Sequence, residues 1–167
     1  MNIKLFLTII MLVNALSAEN KQNNAFDNTY AEKITEAMTV IPQVKVKKPK
    51  RALVYYKASG YVHKSIKTIN KCLDIMAKKT GAFTVDFSDD VKDFSTENLK
   101  NYDLVIFNNT TKVQKAFRSA ESRKMFLDYI NNGGGFMAIH AATDAGHPEW
   151  PGYVKLIGGV FNGHPWT

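Results

Sequence analysis

The sequence predicts an α/β protein built on a doubly wound, mostly parallel β-sheet. Short strand patterns alternate with amphipathic helix patterns in the order strand, helix, strand, strand, helix, strand. The predicted strands at 52–56, 103–107 and 136–139 are almost wholly apolar, as in sheets that are covered on both faces. Alternation of this kind predicts parallel strands joined by right-handed crossovers, with helices on both faces of the sheet.

Composition and charge describe a globular chain with a basic lead-in. The 167 residues are 45% hydrophobic, which is typical of a chain with one core, and they carry a formal charge of +7. Much of the excess positive charge lies in residues 45–51, ahead of the strand patterns. Because no basic residues interleaved with aromatic residues continue beyond it, we interpret this stretch as a solvated linker and expect no nucleic-acid partner.

Residues 1–18 have the pattern of a secretory signal peptide. Lys4 precedes an apolar run at 5–16, and small residues suited to cleavage follow at 15–18. The run is too short for a comfortable membrane span, so we expect a secreted or periplasmic protein without a span after cleavage. Cys72 is the only cysteine, which excludes an internal disulfide, and its apolar neighbours predict a buried, unreactive thiol.

Residues 19–50 are a polar lead-in, and residues 51–167 form the predicted domain. In the lead-in, Thr29 and Glu32 predict a capping box for a short helix on the flank of the domain. In the domain, Ser65 is expected to cap the first long helix. The other expected features are a helix end at Gly81, an edge strand at 83–87, a helical turn at 95–99, a helix opening at Ser119 or Ser122, and a short helix from 149–151.

The end of the chain bears on the stability that we expect. Four strands make a thin sheet for this architecture, and no terminal helix follows the last strand. The chain is therefore expected to lack the last third of its domain and to be marginally stable by itself, with the strand at 136–139 at an open sheet edge.

Chemically suggestive residues cluster where the predicted strands end, at the edge where open α/β sheets bind ligands. They are, in chain order, His63, Asn108, Asn109, His140, Asp144, His147 and His164. All four histidines therefore lie on one predicted side of the sheet. This convergence suits either a divalent metal such as zinc, bound by neutral imidazoles, or acid–base catalysis near neutral pH. The spacings match no local metal motif, so both interpretations stay open.

The asparagines and aromatic residues near this edge have two interpretations each. Asn108 and Asn109 either hold substrate hydroxyls or an oxyanion, or they cap the neighbouring turn through side-chain-to-backbone bonds. The aromatic residues either form a wall for a sugar ring or pack as a lid over the sheet. These aromatic residues are Trp150, Tyr153 and Trp166.

Several strings of the domain carry a family resemblance. They are Gly-Tyr-Val-His at 60–63, Phe-Asn-Asn-Thr-Thr at 107–111, Gly-Gly-Gly-Phe-Met-Ala-Ile-His-Ala-Ala-Thr-Asp at 133–144, and Ile-Gly-Gly-Val-Phe at 157–161 before His-Pro-Trp. In order and spacing the domain resembles the ThuA-like, or trehalose-utilisation, family. The resemblance implies a class I glutamine-amidotransferase-like, flavodoxin-like fold and a role in carbohydrate utilisation, often in secreted or periplasmic forms. It implies functional positions at His63, His140, Asp144 and His164, whereas His147 falls in a stretch that varies in the family.

Two departures limit what the resemblance implies. Amidotransferases of this fold place a cysteine at the sharp turn after the central strand, where this chain has His140. A thiol-based glutaminase is therefore not expected. Members of the family also extend past the His-Pro-Trp segment at 164–166, so the site residues predicted here are those up to that segment.

Together these observations predict a secreted domain that acts on a sugar or an oxidised sugar derivative. His140 is expected to be a base or a metal ligand, with His63 and His164 in the same pocket. Asp144 would orient an imidazole or bind a substrate hydroxyl, and substrate contacts are assigned to Asn108, Asn109, Trp150 and Trp166. Hydrolase, isomerase and lyase chemistry stay open, as do a non-catalytic carbohydrate-binding module, a fragment without a stable fold, and the oligomeric state.

Overall fold

The computed structural model describes residues 26, 28–38, 46–144 and 149–165. The predicted signal peptide at 1–18, together with His147 and Trp166, lies outside the described residues. Within the described ranges, no helix combines the length and the apolar character that crossing a membrane requires.

A four-stranded parallel sheet forms the centre of the molecule, as the alternation of patterns predicts. Its strands are β1 (Lys50–Tyr55), β2 (Phe83–Ser88), β3 (Leu104–Asn108) and β4 (Gly135–Ile139). Their order across the sheet is β2-β1-β3-β4, and each neighbouring pair is parallel. The chain moves from β1 to one side of the sheet and then returns to the other side with β3. This reversal opens a crevice at the carboxyl ends of β1 and β3, the usual ligand position in flavodoxin-like sheets.

In the part of the chain that the structure describes, six α-helices and two 3₁₀ turns precede, connect or follow the strands. The helices are α1 (Ala31–Ala37), α2 (Ser65–Thr80), α3 (Thr96–Leu99), α4 (Val113–Ala116), α5 (Ala120–Asn131) and α6 (Pro151–Ile157). The 3₁₀ turns are Val91–Phe94 and His140–Thr143. Gly81 ends α2 with a left-handed φ of 60°, and Ser119 caps α5 by accepting a hydrogen bond from the backbone N–H of Ser122. The expected ends of these two helices are thereby confirmed.

Two predicted caps were wrong. Lys64 occupies the N-cap position of α2 without a side-chain bond, and Ser65 is the first helical residue. Tyr30, and not Thr29, occupies the N-cap position of α1, again without a side-chain cap. The helix itself lies on the flank of the domain as expected, because the Lys79 ammonium on α2 donates to the carbonyl oxygen of Met38 at 3.0 Å.

The two faces of the sheet have different cores. One face is covered by α3 to α6 and carries a cluster of aromatic rings (Tyr55, Phe94, Phe107, Phe117, Phe126, Trp150 and Tyr153). The other face is smaller, and there Ala52, Val54 and Ile106 pack with Leu73 of α2. Burial on both sides explains the continuous apolar runs of β1 and β3.

Burial of β4 on both faces was predicted and is corrected by the structure. Phe136 and Ala138 pack against the aromatic cluster, but Met137, which points to the opposite face, is 47% exposed. The reason is topological. The helices that follow β3 and β4 pack on the aromatic side. On the other face α2 packs mainly on β2 and β3, and only Ile139 at the end of β4 joins that smaller cluster. Among the described elements, none covers Met137.

The tight entry into β4 leads to a stability prediction. A methyl group at Gly135 would lie 2.9 Å from the backbone oxygen of Asp103, which accepts the ladder hydrogen bond from Gly135 itself. Because the sheet backbone cannot yield there, Gly135→Ala is expected to lower the free energy of unfolding by about 1–3 kcal/mol. Urea denaturation of Gly159→Ala provides the control, since a methyl group there meets no atom within 4 Å. Equal stability of the two variants would show that the strand entry is not tightly packed.

Candidate functional site

The loops that follow β1, β3 and β4 enclose a cleft of about 500 Å³, which we call the histidine cleft. Its lining consists of Tyr61, His63, Thr111, His140, Thr143, Asp144, Phe161 and His164. The structure therefore brings His63, His140 and His164 to one cleft although 101 positions separate the first from the last (164 − 63). Parallel strands place their following loops at one sheet edge, which accounts for the meeting of His63 and His140. His164 reaches the same cleft from the segment after α6.

His140 follows β4 directly and is the first residue of the 3₁₀ turn His140–Thr143. Its φ of 54° is in the left-handed region, which histidine adopts much less readily than glycine does. Its imidazole is exposed to the cleft, and its Nδ1 lies 2.7 Å from Oδ1 of Asn109. Asn109 itself has a φ of 54°. Two left-handed residues bonded to one another at a cleft are the kind of backbone strain that clusters at functional sites.

A chain of buried amides behind His140 fixes its orientation. Nδ2 of Asn108 donates to the carbonyl oxygen of Ile66 at 3.0 Å and to Oδ1 of Asn70 at 2.9 Å. Nδ2 of Asn109 in turn donates to Oδ1 of Asn108 at 2.7 Å. Because the Ile66 carbonyl can only accept, the Asn108 amide cannot be reversed without losing that bond.

The direction of these bonds determines the protonation of the imidazole. With its Nδ2 turned toward Asn108, Asn109 can only present an oxygen to His140. Nδ1 of His140 must therefore carry a hydrogen and donate it. In a neutral imidazole the other nitrogen, Nε2, is then left with a free lone pair. A lone pair held in a fixed position is what a general base or a metal ligand requires.

The structure corrects the assignment of the two asparagines as substrate contacts. Both side chains are 0% exposed, and their amide groups bond to one another, to α2 and to His140. A ligand in the histidine cleft cannot reach them. They are positioning residues for His140, and the turn-capping alternative does not describe them either, because the bonds run across the fold.

His63 lies directly beside His140. Their ring centroids are 4.6 Å apart at an interplanar angle of 85°, and Tyr61 packs edge-on against His63 at 4.8 Å. Burial, and next the charge of His140 when protonated, lower the pKa of His63, whereas Asp144 acts in the opposite sense. The two imidazoles therefore resist carrying charge at the same time.

This lowered pKa predicts a pH dependence of stability. Since the folded state holds His63 neutral more strongly than the unfolded chain does, the unfolded chain binds more protons just below pH 6.5. The contribution of His63 is fully present above that pH and is lost as pH falls through it. His63→Gln is expected to show a smaller drop in thermal midpoint between pH 7.5 and 5.5 than the wild type. An equal fall in thermal midpoint for the variant and the wild type would show that the fold does not lower the pKa of His63.

Four lining residues were not singled out as site residues from the sequence, namely Tyr61, Thr111, Thr143 and Phe161. Thr111 was assigned to its turn, and it also joins two loops of the cleft. Its hydroxyl donates to the carbonyl oxygen of Tyr61 at 2.8 Å and accepts from the Gly60 backbone N–H at 3.2 Å. Tyr61 and Phe161 are 70% and 43% exposed. Their closeness in sequence to His63 and His164 was the signal that would have identified them.

Trp150 is not part of the cleft wall, which corrects its assignment to substrate binding. It is 4% exposed and packs in the aromatic core, with its ring 5.2 Å from that of Phe117. Tyr153 is equally buried, and its hydroxyl donates to the Ala142 carbonyl oxygen at 2.6 Å. Burial raises the pKa of Tyr153 well above its usual value. Both residues belong to the lid interpretation, because α6 folds onto the sheet face and away from the sheet edge.

The metal interpretation depends on the number of ligands that converge. Within the described parts of the chain, no group of three or more His, Cys, Asp or Glu side chains lies in position to hold a metal ion. His164 packs edge-on against Phe161 at 5.0 Å, and Asp144 is exposed at the cleft rim. A role for zinc thus remains a prediction made from the sequence.

The fold and this cleft define a flavodoxin-like α/β protein with histidines at the carboxyl edge of its sheet. The chain belongs to the ThuA family, described as trehalose utilisation, whose model matches residues 51–167. A crystal structure of a ThuA-like protein from Bacteroides uniformis ATCC 8492 is similar, with 29% sequence identity and a TM-score of 0.57. The similarity covers 75% of this chain and 51% of the other, so this chain spans about half the length of that relative. A search of the curated proteins gave no match. The family assignment supports a role related to carbohydrate.

Proposed function

We propose that this chain carries the acid–base site of an enzyme that acts on a sugar or an oxidised sugar derivative, with His140 as the general base. The observation that supports the proposal is the bond from Nδ1 of His140 to the buried Asn109 oxygen. It leaves Nε2 as the nitrogen that can take a proton from a substrate. General bases of this kind contribute about 10²–10⁴-fold to reaction rates.

The surroundings of His140 fit proton transfer. When Nε2 accepts a proton, Nδ1–H still donates to Asn109, so the imidazolium keeps its orientation. His63 lies beside it as a mainly neutral imidazole, which limits charge repulsion. Asp144 lines the same cleft, and its carboxylate favours positive charge there. The bond to Asn109 therefore positions His140 for proton transfer without any thiol.

The exposed rings of the cleft fit a sugar. Tyr61 and Phe161 lie in the lining and present apolar area to the cleft, on which the C–H face of a sugar ring can pack. Cys72, in contrast, lies on α2, and burial raises the pKa of its thiol. The proposal therefore excludes a thiolate nucleophile and retains His140 as the reactive group.

The same aromatic rings also favour a second candidate, a carbohydrate-binding module without catalysis. Substrate turnover separates the two. The purified protein would be incubated with trehalose, glucose and their oxidised derivatives, with and without a metal chelator, and products followed by mass spectrometry. Product formation that persists in chelator supports acid–base catalysis at His140. Saturable binding without any product would favour the binding module instead.

We further propose that the protein acts outside the cytoplasm, on the basis of the signal-peptide pattern at 1–18. Mass spectrometry of the exported protein should find an amino terminus after about residue 18. An exported protein that retains Met1 would contradict this location signal.

A further inference from the structure

A second cleft, which we call the lysine cleft, adjoins the histidine cleft. It has a volume of about 530 Å³ and lies beyond the carboxyl ends of β1 and β2. Its polar lining is formed by Tyr56, Lys57, His63, Lys64, Lys67 and Asp89. The acid–base account of the histidine cleft uses none of these residues except His63.

The lysine cleft has a positive balance of charge. Among the described residues, three lysines line it, and Asp89 is their one carboxylate neighbour in the lining. Burial, followed by the nearby Asp89, raises the pKa of Tyr56 to about 12, so its hydroxyl is neutral at physiological pH. His63 is held toward its neutral form. A cleft lined mainly by ammonium groups attracts an anion and can offer it charge-assisted hydrogen bonds.

His63 connects the two clefts, because it lines both. A ligand whose ring lies against His140 can therefore extend past His63 toward the lysines. We infer that the substrate is an anionic sugar derivative whose carboxylate or phosphate group binds in the lysine cleft while its ring occupies the histidine cleft. This inference rests on the proposed function for its sugar part, and on the lysines for its anionic part.

The test compares charged and uncharged ligands of one sugar. Glucuronate, glucose 6-phosphate, inorganic phosphate and glucose would be titrated calorimetrically into the wild type and into a Lys64→Gln/Lys67→Gln variant. Both lysines are exposed, so their loss should not disturb the core. The control, Lys100→Gln/Lys155→Gln, removes the same charge from exposed positions in α6 and after α3, neither of which lines the lysine cleft.

We expect the sugar anions to bind more tightly than glucose, and we expect their affinity to fall at high ionic strength. In the lysine-cleft variant their Kd should rise about tenfold, with glucose unchanged, because two charge contacts are lost. In the control the Kd should stay near that of the wild type. Binding of glucuronate alone would identify a carboxylate, and binding of both phosphates alone would identify a phosphate group.

Three results would overturn the inference: anions that bind no better than glucose, equal weakening in the two double variants, or no binding of any anion. The titrations are repeated with His140→Asn, which separates the inference from the proposed function. If that variant still binds the anions more tightly than glucose and its turnover is unaffected, only the general-base proposal is refuted. If turnover is lost but the anions bind no more tightly than glucose, only the inference of an anionic substrate is refuted.

Discussion

Replacing His140 by asparagine is expected to reduce turnover by about 10²–10⁴-fold, the usual contribution of a general base. Asparagine is chosen because it tolerates the left-handed φ of 54° at this position, so that the strand-to-turn geometry is kept. The His140 side chain is exposed to the cleft and lies outside both hydrophobic clusters. Because the amide nitrogen of asparagine can replace Nδ1 as the donor to the buried Asn109 oxygen, the free energy of unfolding should fall by no more than about 1 kcal/mol.

His164→Asn in the same assay distinguishes the two chemical interpretations of the cleft. His164 lines the cleft against Phe161, with 5.0 Å between the ring centroids, whereas the amide chain reaches the cleft at His140. If His140 is the base, loss of His164 should lower turnover much less than loss of His140. If the cleft acts through a metal held by several imidazoles, both variants should be similarly inactive and chelator should abolish the wild-type activity. Unchanged turnover in His140→Asn would refute both interpretations.

Asn109→Asp is expected to destabilise the protein by about 1–3 kcal/mol, because it leaves buried acceptors without a donor. In the native protein Nδ2 of Asn109 donates to Oδ1 of Asn108 at 2.7 Å. An aspartate carboxylate at position 109 would put one of its oxygens where Nδ2 now lies, 2.7 Å from Oδ1 of Asn108, and two oxygen acceptors would then face each other without a hydrogen. Asn108 cannot relieve the conflict by turning its amide, since its Nδ2 is bonded to the Ile66 carbonyl and to Asn70. Aspartate accepts the left-handed φ of Asn109, so backbone strain does not add to the effect.

Asn132→Asp is the matched control for this substitution. It makes the same chemical change at an exposed position just after α5, where a carboxylate remains solvated. Urea denaturation at neutral pH should show a clear loss of stability for Asn109→Asp and a change of at most a few tenths of a kcal/mol for Asn132→Asp. Equal behaviour of the two variants would mean that the amides behind His140 are not ordered as described.

The sheet and the place of the histidines were predictable from the sequence for the same reason. Apolar runs that end in polar residues mark the carboxyl ends of strands, and parallel topology gathers those ends at one edge. The positions of His63 and His140 follow from this rule, and the alternating pattern at 83–87 predicted the edge position of β2. The exposure of Met137 does not follow from it, since that depends on which side of the sheet each crossover helix packs.

The roles of individual side chains were less predictable. Asn108 and Asn109 follow β3 as a ligand-binding pair would, but their partners Ile66 and Asn70 lie on α2, about 40 positions earlier in the chain. No local sequence pattern predicts a hydrogen bond between residues so far apart in the chain. Trp150 precedes a short helix, and its sequence context is the same whether that helix closes a cleft or covers a core. Only the packing of α6 on the aromatic cluster decides between the two.

The central claim is that buried amides hold His140 with a hydrogen on Nδ1 and a free lone pair on Nε2. Nitrogen-15 chemical shifts of the imidazole ring, recorded at mildly alkaline pH with His140→Asn to assign the signals, report the tautomer directly. The account predicts an Nδ1 shift of the protonated, pyrrole type and an Nε2 shift of the unprotonated, pyridine type. A ring protonated on Nε2, or one that averages between both tautomers as a free histidine does, would contradict it.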